Sequence, residues 1–523
     1  MVLSRARLPR NGDVAVTAPV AGRAAHRLRL RRLGIETYQE PVIYMRRDCE
    51  VCRSEGFEAQ SRVEVRLDGR SIIATLNVVT SDLLAPDEAG LSEVAWRMLG
   101  AETDDLITVR HPAPLESLGS VRAKVHGKRF DDAAMNAIVR DVAAGRYADV
   151  HVALFLTASA GGRLDLDETT ALTRAMIAVG ERLEWDRSPV VDKHGVGGLP
   201  GNRTSLVVVP IVAAFGLTMP KTSSRAITSP AGSADTMETL APVALDLAAM
   251  RRVVAREGGC IVWGGSVLLS PADDVLIRVS RPLDLDGEGQ LVASILSKKA
   301  AAGSSHVVVD LPVGPTAKIR SADAGRALAQ RLEDVGRAVG LAVRVVITDG
   351  SQPVGRGIGP ALEARDVLAV LRGDRDAPPT LRERSLLLAG HVLEQSARVP
   401  SGRGRAVAEA ILDDGRAWRK FQAICDAQGG MREPPRAKHT AVVTSPQAGR
   451  VVEIDNRRLA RVAKLSGAPR AAAGGVDLHA PLGTRVAVGQ PLFTVHAETP
   501  GELAYAMGYA EAQTDLVRIE DDA

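Results

Sequence analysis

Aromatic residues make up 3 % of the 523-residue chain, which holds 4 Trp, 5 Tyr and 6 Phe. So few rings argue against the stacking platforms on which single-stranded nucleic acids bind, and they leave small aliphatic side chains to fill the cores. Cysteine is as scarce. Four thiols in so long a chain make no disulfide framework, which fits a reducing compartment. Charge of one sign is also missing: 66 Lys and Arg against 63 Asp and Glu leave a net +3, too little for a broad field attracting nucleic acid or a membrane. Long hydrophobic runs are absent as well. The longest charge-free stretch, 204–220, is interrupted by Pro210 and Gly216 and is short for a bilayer, and no uninterrupted apolar segment follows the first arginines. The expectation is a cytoplasmic protein without membrane or nucleic-acid partners.

One cysteine pair, Cys49 and Cys52, forms a C-x-x-C. With no second pair and no paired histidines nearby a zinc site lacks ligands, so a turn with two small residues is the plainest reading, ahead of metal or redox chemistry.

What is present is length enough for two to four domains, at a hydrophobic content of 45 % and a charged content of 25 %, both ordinary for globular chains. Residues 1–110 carry short alternating segments, Arg62-Val-Glu-Val-Arg-Leu and Ile72-Ile-Ala-Thr-Leu-Asn-Val-Val, which predict a small β-rich domain. From His26 to Arg32, Arg and Leu alternate as in a strand with one solvated charged face. Residues 111–190, joined by part of 275–300, predict a helical lobe: Met135, Ile138, Val139 and Val142 recur at helical spacing up to Gly145, and Ala171–Leu183 repeats the pattern. Over 191–433 apolar β-like runs (Val207–Val212, Cys260–Trp263, Val307–Leu311, Val343–Thr348) alternate with helices, which implies an α/β lobe with a largely parallel sheet covered on both faces. After a linker at Gln428-Gly-Gly and Pro434-Pro435, residues 437–523 predict a second small β-rich domain. The fold class is therefore a multidomain α/β protein.

Three segments carry chemistry. Asp192-Lys-His-Gly-Val-Gly-Gly-Leu-Pro-Gly-Asn-Arg-Thr-Ser205 combines glycines that let backbone amides converge on an anion, a solvated lysine at 193, and hydroxyls at 204 and 205 where a helix begins. It lacks the endings of a nucleotide-triphosphate or dinucleotide loop. Lys221-Thr-Ser-Ser-Arg-Ala-Ile-Thr-Ser-Pro-Ala-Gly-Ser233 offers hydroxyls and an arginine suited to phosphate or ribose, although a polar loop of turn formers reads the same way. In Arg278–Lys299, Ser294 and Lys298 lie four apart, hence on one helix face, where a merely solvated face is the plain alternative.

Together these segments resemble the thymidine phosphorylase / AMP phosphorylase family over residues 120–510, with Thr348-Asp-Gly-Ser-Gln-Pro-Val-Gly-Arg-Gly and Ala427-Gln-Gly-Gly as further matches. The N-terminal β-rich part resembles the extra domain of AMP phosphorylases and of a long thymidine phosphorylase subfamily. The resemblance implies phosphate contacts at Lys193, Ser205, Ser223 and Ser233, and base contacts at Ser294, Lys298 and either Arg278 or Arg281. Against the AMP-specific members it implies nucleotide contacts at Gly198, Ser224, Arg225, Ala226, Ile227, Thr228, Ser229, Ser233, Ser294 and Lys318, with Asp286 as proton donor. Lys193 and His194 complete the implied catalytic set. One departure stands out: Gly195 takes the place where the family often has a serine.

The implied reaction breaks an N-glycosidic bond with inorganic phosphate as co-substrate and needs no metal or organic cofactor. The partners are a nucleoside or nucleotide, phosphate, and a second copy of the chain in a homodimer or larger homo-oligomer. Thymidine is the first substrate expected. A nucleoside 5′-monophosphate is the alternative, since Gly-Leu-Pro-Gly-Asn and Lys-Thr-Ser-Ser-Arg-Ala-Ile-Thr-Ser lean that way. A carboxylic acid at 286 would serve a purine leaving group, although an N-cap or turn residue in Asp284-Leu-Asp-Gly reads equally well. Outside this class stand a non-catalytic nucleotide-binding protein and a phosphoribosyltransferase, the latter without its acidic pyrophosphate–metal motif.

Overall fold

The computed structural model describes residues 27–226, 229–267, 269–285 and 287–521, which divide into two compact units. One extends to Leu115 and takes in Gly145–Ala148; the other holds Glu116–Ala144 and the chain from Asp149 onward.

In the first unit β1 (Arg27–Arg32), β2 (Val42–Arg46), β3 (Arg62–Leu67), β4 (Arg70–Val79), β5 (Glu88–Leu91) and β6 (Leu106–Arg110) close a barrel in the order β1-β5-β2-β4-β3-β6. Alternation drives the closure. Leu28 and Leu30 of β1 point into the core while the arginines between them face solvent, Arg29 reaching Asp87 at 2.7 Å. The solvated charged strand is thus as expected, apart from His26, which lies outside the described residues. Asp68 and Gly69, both at positive φ (45° and 82°), turn β3 into β4 through a two-residue hairpin. The C-x-x-C is not a simple turn: Cys49 caps the short helix Glu50–Glu55.

In the second unit Met135, Ile138, Val139 and Val142 are buried along helix Asp132–Ala143, as their spacing predicts. After helix Asp149–Ser159 comes one over Leu166–Val179, opened by the Asp165/Glu168 capping box and ended at Gly180, so it starts and stops earlier than Ala171–Leu183. Leu183 packs beyond it in a separate cluster.

Five parallel strands follow: β7 (Val191–Gly195), β8 (Met219–Ser223), β9 (Gly259–Trp263), β10 (His306–Val313) and β11 (Ala342–Asp349). β11, β10 and β7 are adjacent in that order, β8 pairs with β9, and a bridge between Val190 and Thr218 links the two groups. Val292, Ile295 and Leu296 of helix Glu288–Ala301 and Leu328 and Leu332 of Ala322–Ala338 form one apolar layer with Val307, Val309 and Leu311 of β10, while helices such as Ser205–Phe215, Pro379–Glu394 and Arg416–Ala427 form another. One expected strand is corrected: Val207–Val212 belongs to helix Ser205–Phe215, every residue of which from Ser205 to Ala213 is buried. A helix that is apolar all round leaves no amphipathic period to read.

At the C-terminal end, strands Gly357–Ile358, Gly475–Leu478, Pro491–Ala497 and His439–Thr444 make one sheet, and Arg485–Val486, Gly449–Ile454 and Val517–Glu520 another. Two helices, Asn456–Leu465 and Pro500–Ala512, interleave with them, which the reading of short strands did not foresee. Strand Gly357–Ile358 comes from the Thr348–Gly357 motif and pairs with Val476 and Asp477, so that motif ties the parallel sheet to the C-terminal layer. Among the described residues no helix is long and apolar enough to cross a membrane.

Candidate active site

The side chains of β7 alternate, so Lys193 faces one side and Asp192 and His194 the other. Lys193 is 2 % exposed, which corrects the expectation of a solvated cradle lysine. Its Nζ donates to Thr204 Oγ1 at 2.6 Å and lies 3.8 Å from Asp310 on the neighbouring β10. The fully buried Asp310 also accepts from Asn202 Nδ2 (2.8 Å) and Thr348 Oγ1 (2.7 Å). Burial pushes the Lys193 amine down to about 8, Asp310 opposing that shift while Arg384 and Arg203 add to it. Arg384 itself has a buried Nη1 without a hydrogen-bond partner among the described residues. Gly195 completes this side: a Cβ there would stand 3.3 Å from Lys193 Nζ and 3.9 Å from both Asn202 Nδ2 and Asp310 Oδ2. A side chain at this position would therefore crowd the amine, and glycine avoids that contact.

Past Gly195 two glycines take the chain through left-handed backbone conformations. Gly198 and Gly201 adopt φ of +104° and +70°, and a Cβ on Gly201 would meet Val354 O at 2.2 Å. Arg203 is no ligand group: it is buried against Glu363 at 2.5 Å, with Thr236 beside it. That pair anchors the start of helix Ser205–Phe215, whose N-terminus takes no side-chain cap. Backbone amides in such a place favour a bound anion.

On the other side of β7, Asp192 is fully buried between Lys299 (2.6 Å) and Lys221 (3.6 Å). Burial pushes Lys221 to about 7, against the pull of Asp192. The half-buried His194 is held well below its ordinary pKa by burial and by Lys299, Lys221, Lys298 and Lys193, so at neutral pH it is an uncharged imidazole among cations.

β8 leads to Ser223, whose Oγ is buried with no hydrogen-bond partner among the described residues. A bare hydroxyl beside two lysine-bearing strands is a group waiting for a ligand oxygen. The loop beyond it is shaped by Asp235, which accepts from Ala226 N (2.6 Å) and Gly232 N (2.8 Å). Arg225 pairs with Glu238 at 2.5 and 3.0 Å, touches Asp235, and lies over Trp263. Ser224 is exposed, Ser229 bonds Ala231 O at 2.6 Å, and Ser233 opens helix Ser233–Glu238. Ile227 and Thr228 lie outside the described residues.

For the base side, Lys298 Nζ meets Ser294 Oγ at 3.1 Å and the buried Asp273 at 2.8 Å, so the two residues four apart do act together. Arg278 is paired with Asp149 through two bonds of 2.6 and 2.7 Å, whereas Arg281 is exposed. Lys318 adjoins Gly198, its Cβ 3.6 Å from where a Gly198 side chain would begin. Asp286 lies outside the described residues.

Sequence reasoning gave no role to Asp192, Asp310, Lys221, Lys299, Asp273, Asn202, Thr348 and Arg384, although Asp192, Lys221, Lys299, Asn202 and Thr348 stood in segments it singled out. The first and fourth were adjacent to residues it did choose: Asp192 precedes Lys193, and Lys299 follows Lys298. Asp310 and Arg384 carried no local signal, because only the folded sheet brings them to Lys193.

A parallel sheet with its polar groups gathered at the carboxyl ends of its strands places the ligand crevice of an α/β transferase there. Residues 187–418 match the model of the glycosyl transferase family a/b domain, and residues 120–180 that of the glycosyl transferase family helical bundle domain. The chain is 66 % identical to the "Putative thymidine phosphorylase" of Polaromonas sp. strain JS666 over 97 % of its own length and 99 % of that protein. It is 58 % identical to the protein of the same name from Legionella pneumophila strain Paris, over 99 % of each. Among solved structures, anthranilate phosphoribosyltransferase from Thermus thermophilus is similar at TM-score 0.48 and 22 % identity, over 59 % of this chain and 99 % of that one, a likeness too slight to bear on the site. The chain belongs to this glycosyl transferase family, a family of pentosyltransferases, together with the long relatives just named.

Proposed function

We propose that the protein cleaves thymidine with inorganic phosphate, giving thymine and 2-deoxyribose 1-phosphate. The observation that carries this reading is the buried amine of Lys193, set beside Gly195, where a side chain would crowd it, and near the start of an uncapped helix. A phosphate oxygen attacks the anomeric carbon as the bond from that carbon to the base nitrogen breaks, through an oxocarbenium-like sugar. Holding the reactants in line contributes roughly 7–11 kcal/mol. The leaving base departs as a delocalised anion, and Lys298, oriented by Ser294, is the cation nearest to hand for it. The names of the relatives support the choice of thymidine.

A second reading, phosphorolysis of a nucleoside 5′-monophosphate to ribose 1,5-bisphosphate, is favoured by Lys318 beside Gly198, which would add a cation for a second phosphate group. The deciding assay measures free base released from thymidine, uridine, AMP, CMP and UMP, with and without phosphate. Release from thymidine only with phosphate is the expected result. Release from AMP alone would move the assignment to the second reading, and no release from any of the five would leave a binding protein.

A further inference from the structure

The N-terminal unit holds a pair of nucleophiles that phosphorolysis does not use. Cys49 and Cys52 are both free and buried, at 0 % and 5 % exposure. Cys49 occupies the capping position of helix Glu50–Glu55, where an oxygen-bearing side chain is usual, and its sulfur accepts from Cys52 N at 3.3 Å. Cys52 lies three residues on, in the first turn of the same helix, so both side chains leave it on one face. A sulfur that accepts a backbone amide is favoured as a thiolate, and Cys49 is lowered to about 7, chiefly by the neighbouring Cys52 thiol, against its own burial. Asp48 would oppose that charge, but Arg46 holds its carboxylate at 2.7 and 2.8 Å. The remaining cysteines behave oppositely: burial raises Cys260 and pushes Cys425 up to about 12. A cavity of about 540 Å³ runs along the same helix, lined by Arg27, Asp48, Glu50 and Arg53 among others. Neither cysteine lines it, but Val51 between them does, and Arg27 and Arg53 could meet the carboxylates of a small disulfide seated there.

We infer that Cys49 and Cys52 form a redox-active dithiol, oxidised reversibly to an intramolecular disulfide by exchange with a small-molecule disulfide of the glutathione type. The Cys49 thiolate attacks one sulfur of the small disulfide and expels its partner as a thiolate. Cys52 then loses its proton to solvent and attacks the Cys49 sulfur, expelling the second small thiolate. Two electrons pass from the protein to the small disulfide, and one protein disulfide and two small thiols result. Excess small thiol runs the same steps backwards.

The test uses the full native chain equilibrated at a series of ratios of oxidised to reduced glutathione, quenched in acid, alkylated and mapped by mass spectrometry. The expected product is a peptide cross-linked between Cys49 and Cys52 that increases with the ratio and disappears on return to reduced glutathione, while Cys260 and Cys425 stay reduced. Cys52→Ser should instead accumulate a single glutathione on Cys49. Cys49 and Cys52 that remain reduced at every ratio at which the chain stays folded would overturn the inference. So would glutathione on Cys260 or Cys425 of Cys52→Ser to the same extent as on Cys49. The wild-type mapping needs no variant to fold, and its outcome is independent of the substrate assay.

Discussion

Lys193 is a buried cation at the centre of the site, and its protonation should therefore govern activity. With its amine at about 8 in the folded chain against an ordinary 10.5, the folded state holds fewer protons at this position than the unfolded one between those values. Its burial thus costs stability below about pH 8, and the cost fades as pH rises through that window. Activity runs the other way, because only the cation attracts phosphate. We expect kcat/KM for phosphate to fall above about pH 8, and Arg384→Gln to move that limb upward, since removing a nearby positive charge raises the amine's pKa. A profile flat to pH 10, or a limb unmoved in the variant, would separate Lys193 from phosphate binding. Lys193→Met, which keeps the volume, should cost about 10²–10³ in turnover, as removal of a single charge-stabilising donor does elsewhere. The leaving-group side has its own test. A purine needs a proton and a thymine anion needs positive charge, so Lys298→Met should damage thymidine cleavage while Asp286→Asn leaves it nearly unchanged. The reverse pattern with AMP would mark a nucleotide enzyme, and two fully active variants would put the leaving group in other hands.

At the scale of elements, the turn over 198–201 is where backbone rather than side chains makes the site. Gly201 at φ +70° abuts Val354 O, so Gly201→Ala must displace either the cradle or the Thr348–Gly357 connector. Strain of this kind costs roughly 1–3 kcal/mol. The expected result is a lower melting temperature together with a raised KM for phosphate, measured by calorimetry and steady-state kinetics. A shift in neither would show that the loop adjusts freely. Elements with strong local signals were legible in advance. Helix Asp132–Ala143 shows its apolar period and β1 its alternation, and Cys260–Trp263, Val307–Leu311 and Val343–Thr348 are all strands. Val207–Val212 was not legible, because a run buried on every side looks alike as helix or strand. The same limit applied within the site. Ser294 and Lys298 share a helix turn and were visible as a pair, whereas Asp310 reaches Lys193 only through the register that sets it opposite Gly195. Gln428 illustrates a third case: its motif was recognised, but its work was not. Its side-chain amide accepts from Ile261 N and donates to Ile261 O (2.8 and 3.0 Å), standing in for a further strand at the edge of β9.

Across the larger of the two compact units, helix Glu288–Ala301 joins the layers that must cooperate. It packs on helix Leu166–Val179 and, through Val292, Ile295 and Leu296, against Val307, Val309 and Leu311 of β10. Its last turn presents Lys298 to the base side and plants Lys299 on Asp192 of β7 at 2.6 Å, fully buried. Under the proposed function, the phosphate groups on the sheet and the base groups on the helical layer meet at one ionic joint, Lys299 with Asp192. Breaking a buried pair by removing one partner costs about 3–5 kcal/mol, so this joint should persist while the layers move about it. We expect phosphate and nucleoside together to draw the layers closer, excluding water and completing the site, as lid and domain closures do. Small-angle scattering with both ligands should show a smaller radius of gyration than with either alone. Lys299→Met should retain phosphate binding by calorimetry yet lose both the compaction and most of the turnover, because the joint that converts binding into alignment is gone. Unchanged scattering in the wild type with both ligands, at full occupancy, would mean that the site is already assembled and that the Lys299–Asp192 pair serves stability alone.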